Sequence, residues 1–168
     1  MHPIHKYIRI FLAALAVLLA GYGGAARAEP PRNLGGLKLL HASQGKEALQ
    51  EINRLHGKEV AAQYGYVAHY EKSGAAAMLY VSRASSPAQA GRQLEQMSKR
   101  IESGGTPFYH LKASKQGIIT LYSALGQGQV HYFYQRGSSV MWLAVDPPVA
   151  KQTLAALLEQ AKAVKRNE

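Results

Sequence analysis

The chain has 168 residues, the size of one domain at roughly 100 to 200 residues per domain, and its 20 Lys and Arg against 10 Asp and Glu give a formal charge of +10. With 47% hydrophobic and 18% charged residues it is too apolar for a disordered chain and too interrupted for a multi-span membrane protein. The absence of cysteine excludes disulfide staples, thiolate zinc sites, a Cys nucleophile, covalently attached haem and lipoprotein-type acylation.

Residues 1–28 have the three parts of a secretory signal. Lys6 and Arg9 make a basic start, an apolar run extends from Ile10 to Ala20, and Ala26-Arg27-Ala28 offers an A-x-A cleavage site before Glu29. The run is shorter than the roughly 20 residues a spanning helix needs, so a cleaved leader is expected rather than an anchor. The leader holds Lys6, Arg9 and Arg27 and no acid, so cleavage lowers the charge from +10 to +7. Paired arginines of the folded-export kind are absent. The chain is therefore expected to cross the membrane unfolded, without a cofactor loaded in the cytoplasm, and to reside in the periplasm.

The mature chain opens with EPPRNLGG, residues 29–36, a Pro/Gly-rich stretch read as a flexible arm. A single domain is expected over 37–168. Ser43 is a candidate N-cap for a first helix, KEALQEINRLH, whose Ala48, Leu49, Ile52 and Leu55 form an apolar stripe. Tyr64 to Glu71 and Ala75 to Arg83 are strand-like runs joined by Lys72-Ser73-Gly74. A second helix follows, with Ser86 as N-cap, Gln89 three residues on, Pro87 at the first helical position, and Ala90, Leu94, Met97 and Ile101 at helical spacing. Four further strands are predicted at 108–113, 117–123, 129–136 and 138–145, with connections too short for anything but antiparallel neighbours. Asp146 is expected to cap a last helix carrying Leu154, Leu157, Leu158, Ala161 and Val164 on one face. The order α-β-β-α-β-β-β-β-α indicates an α+β domain: an antiparallel sheet of about six strands with helices packed mainly on one face.

Strand side chains alternate between two faces. One set is aliphatic: Val67, Ala77, Leu79, Val81, Ile119, Leu121, Phe133, Met141, Leu143 and Val145. The other set is Tyr66, Tyr70, Tyr80, Tyr122, Tyr132, Tyr134 and Trp142. Assigning the aliphatic set to the helix-covered core leaves the aromatic set as an amphipathic binding face, because tyrosine suits a sheltered ring with a wet hydroxyl. The plainer alternative is that tyrosine fills a half-wet sheet face.

His41, His56, His69, His110 and His131 remain after cleavage, and no two have the spacing by which one helix presents a ligand pair. A transition metal or haem would need His56, His69 and His131 to meet in space; otherwise His69 and His131 are strand residues bonded to backbone. Hydrolytic chemistry has little to draw on. Asp146 is the only aspartate, no G-x-S-x-G elbow exists, and Glu47, Glu51, Glu95, Glu102 and Glu159 fall on polar helix faces. The basic charge is spread rather than blocked, which suits an anionic ligand, cell wall, membrane surface or acidic partner more than nucleic acid.

The segments LHGK at 55–58, YGYVAHY at 64–70, LYVSR at 79–83 and VHYFYQRGSSVMWLA at 130–144 resemble an uncharacterised group of exported bacterial α+β domains. In these an aromatic hairpin precedes a closing helix; the resemblance spans roughly 37–160 and implies no activity. The expectation is a periplasmic, non-enzymatic domain without a cofactor, binding a partner protein or amphipathic ligand on its Tyr/Trp face. The alternative is a metal- or haem-handling protein.

Overall fold

The computed structural model describes residues 29–56, 59, 60 and 62–165, so the leader expected over 1–28 lies outside the described residues. The elements run β1 (Asn33–Leu34), β2 (Leu37–Gln44), α1 (Lys46–His56), β3 (Tyr64–Lys72), β4 (Ala75–Arg83), α2 (Pro87–Glu102), β5 (Tyr109–Gln116), β6 (Ile119–Gly126), β7 (Gln129–Arg136), β8 (Ser139–Val145), a 3-10 turn (Pro147–Val149) and α3 (Ala150–Lys165). All eight strands join one antiparallel sheet in the order β1-β2-β3-β4-β8-β7-β6-β5. The α+β class and the antiparallel sheet agree with expectation; the strand count and helix placement do not.

Two strands come from sequence that reads poorly as strand. Residues 29–36, read as an arm, supply β1, and its Leu34 is fully buried. In β2 the alternation breaks because Leu40 is an extra residue: Leu39 pairs with Tyr70 while His41 pairs with His69. Such a bulge exchanges the faces of all positions beyond it. Leu37 and Leu39 pack with the α3 core, and the bulge returns Ala42 to that core while His41 and Ser43 turn to the other face. Ser43 is thus a strand residue bonded to Glu51 Oε2 at 3.3 Å, not a helix cap. Gly45, at φ +60, makes the turn into α1.

The α2 start matches its sequence signature. Ser86 is extended, and its Oγ accepts the Gln89 backbone N–H at 3.1 Å. Asp146 behaves differently from expectation: it precedes the 3-10 turn but makes no side-chain cap bond. Its Oδ2 instead accepts the Ala76 N–H at 2.7 Å and its Oδ1 accepts Gln129 Nε2 at 3.0 Å, tying the end of β8 to β4 and β7.

Helices cover both faces of the sheet. Ala48 and Ile52 of α1 pack on Val67, and Ala90, Leu94 and Ile101 of α2 pack with Phe133 and Val140. On the opposite face Ala150 and Leu157 of α3 pack with Leu79, Leu121, Leu143 and Val145. Gly35 lets the β1–β2 turn reach α3: a Cβ there would lie 2.6 Å from Thr153 Cα, and its φ is +61. The outer strand β5 is almost wholly exposed and carries Lys112 and Lys115, which discourage edge-to-edge pairing.

Pairing register corrects the division into faces. The link Gly137-Ser138 pairs Arg136 with Ser139, so Phe133 opposes Trp142 and Tyr134 opposes Met141. In any hairpin closed by two residues, an odd position on one strand opposes an even position on the other. Phe133 and Met141 therefore cannot share a face. Tyr66, Tyr70, Tyr132 and Tyr134 lie with the aliphatic set under α3, while Val67 and Phe133 lie with Tyr80, Tyr122 and Trp142 beneath α1 and α2.

Candidate functional site

Between α1 and α2, above β4 and β8, the sheet floors a cleft of about 590 Å³. That volume falls within the roughly 300 to 1,000 Å³ typical of small-molecule sites. The floor is Met78, Tyr80 and Ser82 from β4, Val140, Trp142 and Ala144 from β8, and His131 from β7. Ile52, Leu55 and His56 form the α1 wall, and Gln93, Met97, Arg100 and Ile101 form the α2 wall. Phe108, in the segment leading from α2 to β5, also lines the cleft. Its rim is chiefly amide: Gln89, Gln96, Gln127 and Gln129, joined by Glu59.

Aromatic residues share one row of this face because the register aligns them across adjacent strands. Tyr80 opposes Trp142, Trp142 opposes Phe133, and Phe133 opposes Tyr122. Phe133 stacks on Trp142 at a centroid distance of 4.8 Å and on Tyr122 at 5.1 Å. Phe108 leans against the row at Trp142, 5.1 Å from that ring and 4.6 Å from His131. This approach requires Gly126, where a Cβ would come within 2.5 Å of the Phe108 ring.

His131 is fixed by this packing. Indole N–H can only donate, so Trp142 Nε1 at 3.1 Å makes Nδ1 of His131 a bare acceptor, and Nε2 must then carry the hydrogen that it donates to Gly126 O at 2.9 Å. Burial holds its pKa below the usual imidazole value, against the opposing pull of the Gly126 bond. His56 Nδ1 donates to Ile52 O at 2.8 Å, and the ring stands in the α1 wall of the cleft. The Tyr80 hydroxyl donates to Met78 Sδ, and burial, with a smaller contribution from Glu51, pushes its pKa up to about 12.

The seven aromatic candidates therefore divide. Tyr80 and Trp142 line the cleft, and Tyr122 lies beside it, stacked on Phe133. Tyr66, Tyr70 and Tyr134 are buried in the α3 core and Tyr132 is half-buried against it, so these four present no open binding face. The histidine trio is not assembled: among the described residues no three His, Cys, Asp or Glu side chains come together as a metal-binding group. His131 has both ring nitrogens engaged, and His69 pairs instead with His41. The glutamine rim, Met97 and Phe108 were missed by sequence reasoning. The i, i+4, i+7 spacing of Gln89, Gln93 and Gln96, beside Met97 and Arg100, marks a polar α2 edge but not what it faces. Searches against protein-family models, curated proteins and solved structures found no match to this chain.

Proposed function

We propose that this chain is an exported, non-catalytic binding domain of the periplasm that holds an amphipathic small molecule in the cleft between α1 and α2. The observation that carries this reading is an apolar, aromatic floor bounded by helices and rimmed by glutamines. An apolar body would lie on Tyr80, Trp142, Met97 and Ile52, where burial is worth about 25 cal/mol per Å². Its polar group would meet amides that both donate and accept, with Arg100 available to an anionic one.

Binding is favoured over catalysis by how the titratable groups are used. His131 is committed to Gly126 and Trp142, and Asp146 is committed to Ala76 and Gln129. A small molecule is favoured over a protein partner because the apolar surface is concave and confined between two helices. Export rests on the leader read in residues 1–28 and is tested by intact mass: protein from the periplasm beginning at Glu29 supports it, and membrane-bound protein retaining residues 1–28 contradicts it.

Ligand binding is tested with dodecanoate. Trp142 is the only tryptophan in the chain, so its emission reports on the cleft floor. A saturable one-to-one change that weakens at least tenfold in Met97→Glu and Leu55→Glu is expected. Leu55 is 62% exposed, so its change leaves the fold intact. A response identical in all three proteins would place the ligand elsewhere.

A further inference from the structure

One row of the sheet, on the same face as the cleft, sets three metal-binding side chains side by side: His41 on β2 opposes His69 on β3, which opposes Met78 on β4. Directly opposed positions have Cβ atoms about 4.5 to 5.5 Å apart. The alignment is a product of the β2 bulge. In an unbulged register Leu40 would oppose His69, and His41 would oppose Ala68 and point to the α3 side. The bulge leaves Leu40 65% exposed, an outlay for an apolar residue that returns no core contact. Bulges recur where a side chain must be re-aimed.

The two imidazole rings have centroids 6.0 Å apart, tilted by 41°. An imidazole nitrogen binds a metal at about 2 Å and the ring centre lies about 1 Å behind the nitrogen, so two rings on one ion have centroids roughly 5 to 6.5 Å apart. The observed spacing needs only side-chain rotation. His41 is exposed and His69 and Met78 are half-buried, which gives an ion a route in and a partly dry seat. Met78 Sδ accepts the Tyr80 hydroxyl and keeps a second lone pair. The neighbouring row on this face carries Lys38 and Glu71, so one carboxylate and one cation stand nearby.

We propose that His41, His69 and Met78 form a binding site for copper(I). A thioether with two imidazoles is a soft, neutral donor set, which selects copper(I) over zinc or the hard divalent cations. The site does not use His56 or His131; it shares Met78 with the cleft floor, while His41 and His69 lie outside the cleft lining.

The test is an anaerobic competition in which untagged protein, purified from an exporting host, withdraws copper(I) from bicinchoninate. The expected result is one equivalent bound, with affinity at least tenfold lower in His41→Asn, His69→Asn and Met78→Leu and unchanged in His110→Asn, on the opposite sheet edge. His41→Asn alters an exposed side chain, so it remains informative should His69→Asn fail to fold. Dodecanoate binding is expected to be unchanged in His41→Asn. Failure to withdraw copper, or equal affinity in His41→Asn, overturns the proposal. Equal affinity in Met78→Leu, or tighter binding of zinc, overturns the assignment to copper(I).

Discussion

Tyr70 and Tyr134 bury their hydroxyls with no protein partner among the described residues, although each ring is at most 1% exposed. A buried, unsatisfied hydroxyl costs about 1 to 3 kcal/mol while its ring contributes apolar contact. Tyr134→Phe is therefore expected to leave stability unchanged or raise it, and Tyr134→Ala to cost about 3 to 5 kcal/mol. Chemical denaturation distinguishes them; a loss above about 1 kcal/mol in Tyr134→Phe would show that the hydroxyl is satisfied. His131 gives a second expectation. Its folded pKa lies below the unfolded value of 6.5, chiefly through burial, so the unfolded chain binds more protons once the pH drops under 6.5. Its contribution is fully present above 6.5 and is lost as pH falls from there through the folded pKa. Protonation would also put a hydrogen on Nδ1, facing the Trp142 N–H. Melting measured from pH 7.5 to 4.5 should show this acid-side loss in the native protein and a reduced slope in His131→Phe.

The helices and long strands were legible where local grammar and burial agree. Ser86, Pro87 and Gln89 mark the α2 start because a side-chain oxygen, a ring-fixed φ and a free first-turn N–H are local requirements. The β1 and β2 strands were not legible, since β1 has two residues and the bulge at Leu40 destroys the alternation by which β2 would be recognised. Asp146 shows the same limit: its position before two prolines fits a cap, but its carboxylate is used by Ala76 and Gln129, distant in sequence. Asp146→Ala is expected to cost about 1.5 to 3 kcal/mol, as for a hydrogen bond to a charged group, rather than a cap's typical 1. A double-mutant cycle with Gln129→Ala should give non-additive losses; strict additivity would contradict the observed bond.

The sheet is covered on both faces, and so the seven aromatics could not form one open surface. Parity within each strand was readable, but joining strands into faces depends on register, and sorting by side-chain type put Phe133 with Met141 instead of with Trp142. The cleft was legible only through Tyr80 and Trp142, because its walls come from helices whose placement on the sheet no local pattern encodes. The buried tyrosines also set the alkaline behaviour. Burial raises the pKa of Tyr66, Tyr70, Tyr80 and Tyr134 above the usual 10.0, so the folded state keeps protons that the unfolded state releases. Their contribution is complete below pH 10 and declines as pH rises through the folded values, so denaturation midpoints should fall steeply above pH 10. A flat profile from pH 9 to 11.5 would mean that these hydroxyls ionise as freely as in the unfolded chain. The central claim is that the helix-bounded cleft over Trp142 is the binding site. Its most direct test is the titration of Trp142 emission with dodecanoate in the native protein and in Met97→Glu: the account requires saturation at one equivalent in the first and at least tenfold weaker binding in the second. Absence of any saturable change in the native protein would contradict it.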